Sequence, residues 1–358
     1  MVSRRRVLAG LAATSLLPSA GWSSVGTPDY LSAARTQNGR YLLAGLTTEG
    51  EITFTIPLPA RGHAAAAHPE RAEAVAFARR PGTFALVMDC RDGATLNTLT
   101  APEDRHFYGH GAFSADGKTL FTSENDFEAG EGRIGLWDAT QNYTRIGEFS
   151  SGGVGPHDLK LMPDGQSLVV ANGGIETHPD MGRSKLNIPV MRPNLSYISL
   201  TGEILEQAEL PSNLRKDSIR HLAVRQDGLV AFAMQWQGTK SEIPPLLGLH
   251  QRNSTARLLS APQNAQKQLQ GYAGSVALSL DGALVAITSP RGNVLHVFDV
   301  MSEEPQAILS AQDVCGIGPM ATGFLYTTGT GRIGTLVEET AHHDLQWDNH
   351  LIDISHIA

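Results

Sequence analysis

One short pattern recurs along the whole chain: an apolar stretch, a tight turn at a glycine, and a second apolar stretch. Two copies, GHGAFSADGKTLFTSEND (109–126) and GPHDLKLMPDGQSLVVANGG (155–174), also share a histidine ahead of the first stretch. The spacing of the turn glycines averages about 47 residues, the length of one four-stranded blade. Seven such units predict an all-β, seven-bladed propeller with WD-like repeats. The seven turn glycines are Gly39, Gly82, Gly117, Gly165, Gly228, Gly282 and Gly323.

Turn and strand chemistry favours the same fold. Four units carry Asp-Gly, which supplies the positive φ of hairpin turns, and GRIGLWDAT (132–140) and GNVLHVFDV (292–300) contain WD-like pairs. The first unit has room for only three strands, so LQWDNHLIDI (345–354) is predicted to add the fourth and close the ring. An α/β fold would need amphipathic helices between the strands, and none is long enough.

The N-terminus is typical of an export signal. SRRRVL (3–8) resembles the twin-arginine form and precedes an apolar run and small residues, although an ordinary secretory signal fits as well. We therefore expect residues 1–26 to be a signal peptide, cleaved between Ala20 and Gly26, and residues 27–358 to form a single propeller domain in the periplasm. Beyond the signal, no apolar stretch is long enough to span a membrane, and we expect a monomer.

Charge and cysteine content exclude several classes of function. The net charge of -8 offers no general attraction to nucleic acid or anionic lipid. The two cysteines, Cys90 and Cys315, lie in different repeats and form no CxxC motif. Pairing between them is therefore disfavoured, and a zinc or iron–sulfur site built on cysteine is excluded.

The repeated histidine falls where each blade meets the central channel. Residues just before the first strand of a blade and just after its second strand lie on the face opposite the Asp-Gly turns. Counted back from those turns, His110, Asp158 and His221 share one position, and His157 and Arg220 precede it. Imidazole with carboxylate suits iron, copper or zinc. We therefore take His110, His157, Asp158 and His221 as candidate metal ligands, with structural hydrogen bonding as the alternative.

The same face gathers a second set of polar residues. Arginine would bind carboxylates and tryptophan would stack, so the funnel could instead hold a flat anionic ligand. Two basic residues of the long insertion 177–200, Arg183 and Lys185, face that ligand or solvent. The candidate ligand-binding residues are Asn125, Asp126, Asn172, His178, Arg220, Gln235, Trp236 and Arg291.

Other features point less clearly to chemistry. The segment GHAAAAHPERAE (62–73) carries His63 and His68 in what we take as the loop before the second blade, which could lie on the funnel side. AHHDLQWDNH (341–350) is rich in histidine, but we expect a surface turn and the closing strand there. We find no catalytic constellation, such as a Ser-His-Asp arrangement, so the sequence leaves open whether the protein is an enzyme.

Taken together, the motifs resemble the DUF1513 family over about 29–337. They include YGHGAFSADG, GVGPHDLKLMPDG, VVANGGIETHPD, SIRHLAVRQDG and SPRG, with Asp158 where the family pattern suggests Glu. The resemblance implies an exported bacterial propeller whose genes often neighbour imelysin-like iron-uptake genes, but no established activity. It favours a periplasmic binding or scaffold protein of iron acquisition that holds iron, copper, a metal complex or an imelysin-like partner. The alternative is a metal-dependent oxidoreductase or a propeller hydrolase.

Overall fold

Seven antiparallel sheets form a ring in the computed structural model, which describes residues 21–79, 83–182 and 184–357. The sheets follow one another along the chain, so each blade except the first is one continuous segment. Blades 1 to 3 contain β1 (Tyr30–Thr36), β2 (Tyr41–Leu46), β3 (Ile52–Leu58), then β4 (Gly62–Ala67), β5 (Glu73–Ala78), β6 (Phe84–Asp89), β7 (Thr95–Thr100), then β8 (Arg105–Phe113), β9 (Thr119–Asp126), β10 (Glu131–Asp138) and β11 (Thr144–Ser150).

The remaining blades repeat this four-stranded order. Blades 4 and 5 contain β12 (Pro156–Leu161), β13 (Ser167–Asn172), β14 (Asn194–Ser199), β15 (Ile204–Glu209), then β16 (Asp217–Val224), β17 (Val230–Trp236), β18 (Leu247–His250) and β19 (Arg257–Leu259). Blades 6 and 7 contain β20 (Ser275–Leu278), β21 (Leu284–Ser289), β22 (Val294–Asp299), β23 (Pro305–Ser310), then β24 (Val314–Pro319), β25 (Phe324–Thr328), β26 (Arg332–Gly334) and β27 (Glu339–His342).

The C-terminal segment closes the ring, as the sequence predicts. It forms β28 (Leu345–Trp347) and β29 (Ile352–Asp353), which pair with opposite ends of β1 and make up the innermost strand of blade 1. The innermost strands of neighbouring blades contact each other, and β29 contacts both β24 and β4. The predicted seven-bladed fold is therefore confirmed.

Helical structure is short and peripheral. Besides the α-helix α1 (Gln263–Gln268), there are 3₁₀ turns at Trp22–Val25, Pro179–Met181, Ile188–Val190 and Ser212–Leu214. No helix in the described part of the chain is long and apolar enough to cross a membrane. The predicted signal lies mostly outside the described residues, which begin at residue 21.

Asp-Gly turns connect the first two strands of blades 3 to 6. At these turns the glycines adopt φ between +65° and +88°, as predicted: Gly117, Gly165, Gly228 and Gly282. Gly39, by contrast, joins β1 to β2, which are the second and third strands of blade 1. Gly82 lies outside the described residues, in the connection from β5 to β6 that occupies the same place in blade 2. In the first two units the glycine turn therefore joins the second and third strands of the blade, where the sequence predicts the first and second.

Seven hydrophobic clusters fill the seven spaces between neighbouring blades. Phe77 of blade 2, for example, lies in one cluster with Trp137 of blade 3, and Tyr197 of blade 4 lies in another with Phe232 of blade 5. Burial of each large apolar side chain contributes roughly 1.5–3 kcal/mol. Because every blade shares its two faces with its neighbours, the core stabilises the ring as a whole.

His68 caps the first turn of blade 2, in place of the Asp-Gly found in blades 3 to 6. Its buried ring accepts hydrogen bonds at Nδ1 from the backbone N–H groups of Glu70 and Arg71, at 3.0 and 3.1 Å. Burial and the Arg71 charge lower the pKa of His68 to about 4. The ring is therefore a neutral structural cap.

This capping role predicts an acid sensitivity. The unfolded chain binds a proton at His68 below about pH 6.5 and the folded chain only below about 4, so the free energy of unfolding falls as the pH drops between them. Over this whole pH interval, the free energy of unfolding falls by about 3 kcal/mol. Urea titrations of wild type and His68→Asn at pH 7 and 4.5 measure it, since asparagine keeps an acceptor and cannot titrate. Equal losses in both proteins would contradict the assignment.

Candidate functional site: a histidine cluster in the channel

An irregularity in the innermost strand of six blades turns side chains towards the channel. The ladder register shifts between Gly62 and Ala65, Phe107 and Gly111, Pro156 and Asp158, Ile219 and His221, and Val314 and Ile317. In blade 1 the strand is interrupted between β28 and β29. Extra residues of this kind leave the ladder and re-aim their side chains.

Five histidines from five blades meet at these irregularities. His110 contacts all four others, with ring centroids 4.9 Å from His63, 5.1 Å from His157, 6.1 Å from His221 and 4.6 Å from His350. His63 and His350 are 4.5 Å apart, and His157 and His221 are 4.9 Å apart. We call these five residues the histidine cluster. All are buried except His157, which is partly exposed.

Burial disfavours the charged form of four rings of the cluster. Loss of solvation is the largest cause that lowers the pKa of His63, His157 and His350 well below 6.5, and it lowers the pKa of His221 to about 3. Repulsion among the closely packed rings and from nearby cations adds to this effect. Neutral imidazole is the form that binds metal ions.

A buried carboxylate orients His110. Asp158 Oδ1 lies 3.0 Å from His110 Nδ1, and Asp158 Oδ2 accepts a hydrogen bond of 3.0 Å from the backbone N–H of Leu222. Burial raises the pKa of Asp158, but Lys160, His110 and His221 outweigh burial, so the pKa is lowered and the group is a carboxylate. His110 Nδ1 therefore faces the carboxylate, and Nε2 is the nitrogen left for a ligand, buried without a hydrogen-bond partner among the described residues. A carboxylate behind a histidine ligand is common at metal sites.

Several ring nitrogens in the cluster are buried without a hydrogen-bond partner among the described residues. They are His63 Nδ1, His110 Nε2, His350 Nε2 and both nitrogens of His221. A buried polar atom left unpaired costs about 1–3 kcal/mol. An arrangement that concentrates such atoms in one space therefore points to a ligand that accepts them.

Two trios of histidines have the spacing of metal ligands. One is His63, His110 and His350, and the other is His110, His157 and His221; in each trio the candidate nitrogens lie within 4.8 Å of one another. In a tetrahedral site with bonds of about 2.0–2.1 Å the ligand nitrogens are about 3.4 Å apart, so the rings of a trio need to move closer together to bind one ion. Because both trios need His110, whose Nδ1 faces Asp158, the cluster has nitrogens for one ion at a time.

Comparison with known proteins identifies the family. A family model described as "Protein of unknown function (DUF1513)" matches residues 56–354. The chain belongs to the DUF1513 family. Comparison with curated protein sequences finds no significant match. Among solved structures, hydrazine synthase of Kuenenia stuttgartiensis is similar with a TM-score of 0.63 and 12% identity, over 94% of this chain and 100% of that one. At that identity the likeness supports the propeller fold alone.

The candidate metal ligands of this DUF1513 chain come together in the channel. His110, His157 and His221 form one trio, and Asp158 lies behind His110. Sequence reasoning did not select His63 and His350. His63 lies in β4, the innermost strand of blade 2, instead of the loop assigned to it, and His350 lies in the interruption of the closing strand. A histidine just before the innermost strand was the available signal, but blade 2 lacks the Asp-Gly turn from which the position was counted.

Four of the candidate ligand-binding residues are engaged in contacts with other residues of the protein. Asn125 donates to Thr177 O, and Asn172 donates to Ser151 O. Asp126 forms ion pairs with Arg105 at 3.0 Å and Arg133 at 3.3 Å, and His178 accepts from the N–H of Asp180. These contacts tie the strand ends and the blade 4 insertion together.

The other four lie in blades 5 and 6: Arg220 in β16, Gln235 and Trp236 at the end of β17, and Arg291 in the connection between β21 and β22. The Gln235 and Trp236 side chains donate to Ala273 O and Thr239 O. Arg291 lies over the ring of Tyr272 at 4.2 Å, and Arg220 Nη1 lies 3.4 Å from His157 Nδ1. Arg220 is thus the member of this set that contacts the histidine cluster directly.

A polar cavity of about 280 Å³ lies beside the cluster between blades 7, 1 and 2. Its lining includes Gly62 and Asn349, which directly precede His63 and His350, and also Cys315. Cys315 is buried and, like Cys90, carries a free thiol. Asp348 in the wall binds Arg61 at 2.7 Å and Arg79 at 3.0 Å. The cavity therefore lies next to the blade 1 and blade 2 side of the cluster.

Proposed function

We propose that this propeller binds one transition-metal ion at the histidine cluster. The supporting observation is the convergence of five imidazoles from five blades on one buried space, several with nitrogens that lack a partner among the described residues. Imidazole ligands suit iron, copper and zinc. His110, with Asp158 behind it, is the ligand common to both trios.

We further propose that the protein is exported and serves periplasmic iron acquisition, with iron or copper as the ion. The signal-like sequence 3–8 and the gene neighbours that the family resemblance implies, including imelysin-like proteins, support this role. Trp22 is 1% exposed and packs between blades 1 and 2, with its indole N–H donating to His68 O. We therefore place signal cleavage on the N-terminal side of Trp22.

Metal analysis of the protein recovered from the periplasm tests both proposals. We expect one iron, copper or zinc ion per chain, and none in a His110→Ala/His157→Ala/His221→Ala variant. His342→Ala is the matched control, because His342 is an exposed histidine of β27 outside the cluster. Metal retained by the triple variant, or wild-type protein that takes up no added ion, would rule out the metal site. Recovery from the cytoplasm with the signal intact would rule out export.

A further inference from the structure

The histidine cluster contains two pairs of histidines that share His110 as a neighbour. The rings of His63 and His350 are 4.5 Å apart, and those of His157 and His221 are 4.9 Å apart. Each pair completes a trio of potential metal ligands with His110. We call His63, His110 and His350 the buried trio, and His110, His157 and His221 the accessible trio, because His157 is the partly exposed member of the cluster. One nitrogen of His110 faces a carboxylate, so both trios depend on the other, Nε2.

The buried trio is the more compact of the two. Its ring centroids are 4.5, 4.6 and 4.9 Å apart, whereas those of the accessible trio are 4.9, 5.1 and 6.1 Å apart. A tetrahedral ion with bonds of about 2.0–2.1 Å brings its ligand nitrogens to about 3.4 Å from one another. The rings of the buried trio therefore start closer to a metal-bound arrangement.

Every ring of the buried trio also has a nitrogen that needs a partner. His63 Nδ1, His110 Nε2 and His350 Nε2 are buried with no hydrogen-bond partner among the described residues. Leaving a buried polar atom unpaired is unfavourable, and one ion bound by the three rings would pair all three atoms. An ion in the accessible trio would leave those of His63 and His350 unpaired. Compactness and unpaired nitrogens thus both favour the buried trio as the position in which an ion is held.

The accessible trio connects the buried trio to solvent. His157 is partly exposed, so an ion that arrives from outside meets it before the buried rings. His221 lies 4.9 Å from His157 and also 4.9 Å from His350, so its ring borders both trios. Both ring nitrogens of His221 lack a partner among the described residues, so no hydrogen bond from these residues fixes which way the ring faces. Such a ring is suited to bind an ion briefly between solvent and the buried trio.

We propose that a metal ion is loaded at the accessible trio and held at the buried trio, with His110 as the ligand common to both positions. The proposal rests on the metal-binding function proposed above. The transfer exchanges the nitrogens of His157 and His221 for those of His63 and His350, so the ion has three imidazole ligands before and after it. Because His110 belongs to both trios, contraction of one trio around the ion draws His110 away from the other pair. The two positions are therefore occupied in turn by one ion.

Zinc loading and release, followed by stopped flow with a chromophoric chelator, test this order of binding. His157→Ala should slow loading and release alike, by about tenfold, because it removes a ligand that the ion uses on the way in and on the way out. His63→Ala should instead speed release by more than about a hundredfold, beyond the cost of a change behind a ligand, because it removes a ligand of the holding position. The affinity for zinc therefore falls far more in His63→Ala than in His157→Ala.

The second member of each pair repeats the comparison in His221→Ala and His350→Ala, and circular dichroism checks the folding of every variant. His342→Ala is the matched control, because His342 is an exposed histidine outside the cluster. Faster release from His157→Ala than from His63→Ala would overturn the proposal. Wild-type loading in His157→Ala would overturn it too, since the ion would then enter from elsewhere, such as the cavity beside His63.

His110→Ala separates this proposal from the function on which it rests. If His110→Ala abolishes zinc binding but His63→Ala and His157→Ala show equal kinetics, only the two successive positions are rejected. If zinc binding survives in His110→Ala, or the wild type takes up no zinc, the metal site itself is rejected.

Discussion

His110→Ala is expected to abolish metal binding, with a loss of affinity of more than about a hundredfold, beyond what changes behind a ligand cost. His110 belongs to both histidine trios, so its removal leaves neither complete. Its ring also contacts all four other histidines of the cluster. Competition titrations with a chromophoric chelator, using copper or zinc, measure the loss.

Asp158 supplies the graded comparison for this prediction. Asp158→Asn keeps the shape of the side chain but removes the negative charge 3.0 Å from His110 Nδ1. Such changes behind a ligand cost about 10–100-fold in metal affinity. The expected order is therefore wild type, then Asp158→Asn, then His110→Ala, with His342→Ala equal to wild type. Unchanged affinity in His110→Ala would exclude the cluster as the site, provided that the variant gives a wild-type circular dichroism spectrum.

Removal of the closing strand is expected to prevent folding. A chain that ends at Asp344 lacks β28 and β29, which form the innermost strand of blade 1 and pair with both ends of β1. It also loses Trp347 and Leu351 from the cluster between blades 7 and 1. The ladder edge and the apolar surface left open would favour aggregation. Circular dichroism and size-exclusion chromatography test the outcome.

Two further proteins make this prediction quantitative. Trp347 is 2% exposed, so Trp347→Ala should lower the free energy of unfolding by about 3–5 kcal/mol. A chain that ends at Ile354 keeps both closing strands and should fold as the full chain does. A chain ending at Asp344 that melts like wild type would show that the ring does not depend on this closure.

The fold could be predicted because short local sequences mark the turns between its strands. Asp-Gly pairs require a particular backbone conformation at the turn, and four of them mark successive blades in one register. The missing strand of blade 1 could be inferred by counting, since an open ring leaves two ladder edges. The first two units were misplaced because neither has an Asp-Gly turn. Blade 2 makes its first turn with His68 instead.

The site could be predicted only for residues whose position can be counted from an Asp-Gly turn. His110, Asp158 and His221 share a position counted from their turns, and the structure brings them together. The places of His63 and His350 could not be predicted in this way. They depend on where the strand pairing is interrupted, and hydrogen bonds between strands decide that. The side-chain contacts of Asn125 and Asn172 likewise depend on the three-dimensional pairing of distant segments.

Anomalous diffraction at the absorption edge of the bound metal is the most direct test of the central claim. The measurement uses crystals of protein loaded with copper or zinc. The proposed site predicts one strong peak per chain, inside the channel and within bonding distance of His110 Nε2 and two other histidines of the cluster. A peak confined to surface histidines such as His342, or no peak in the channel of fully loaded protein, would contradict it.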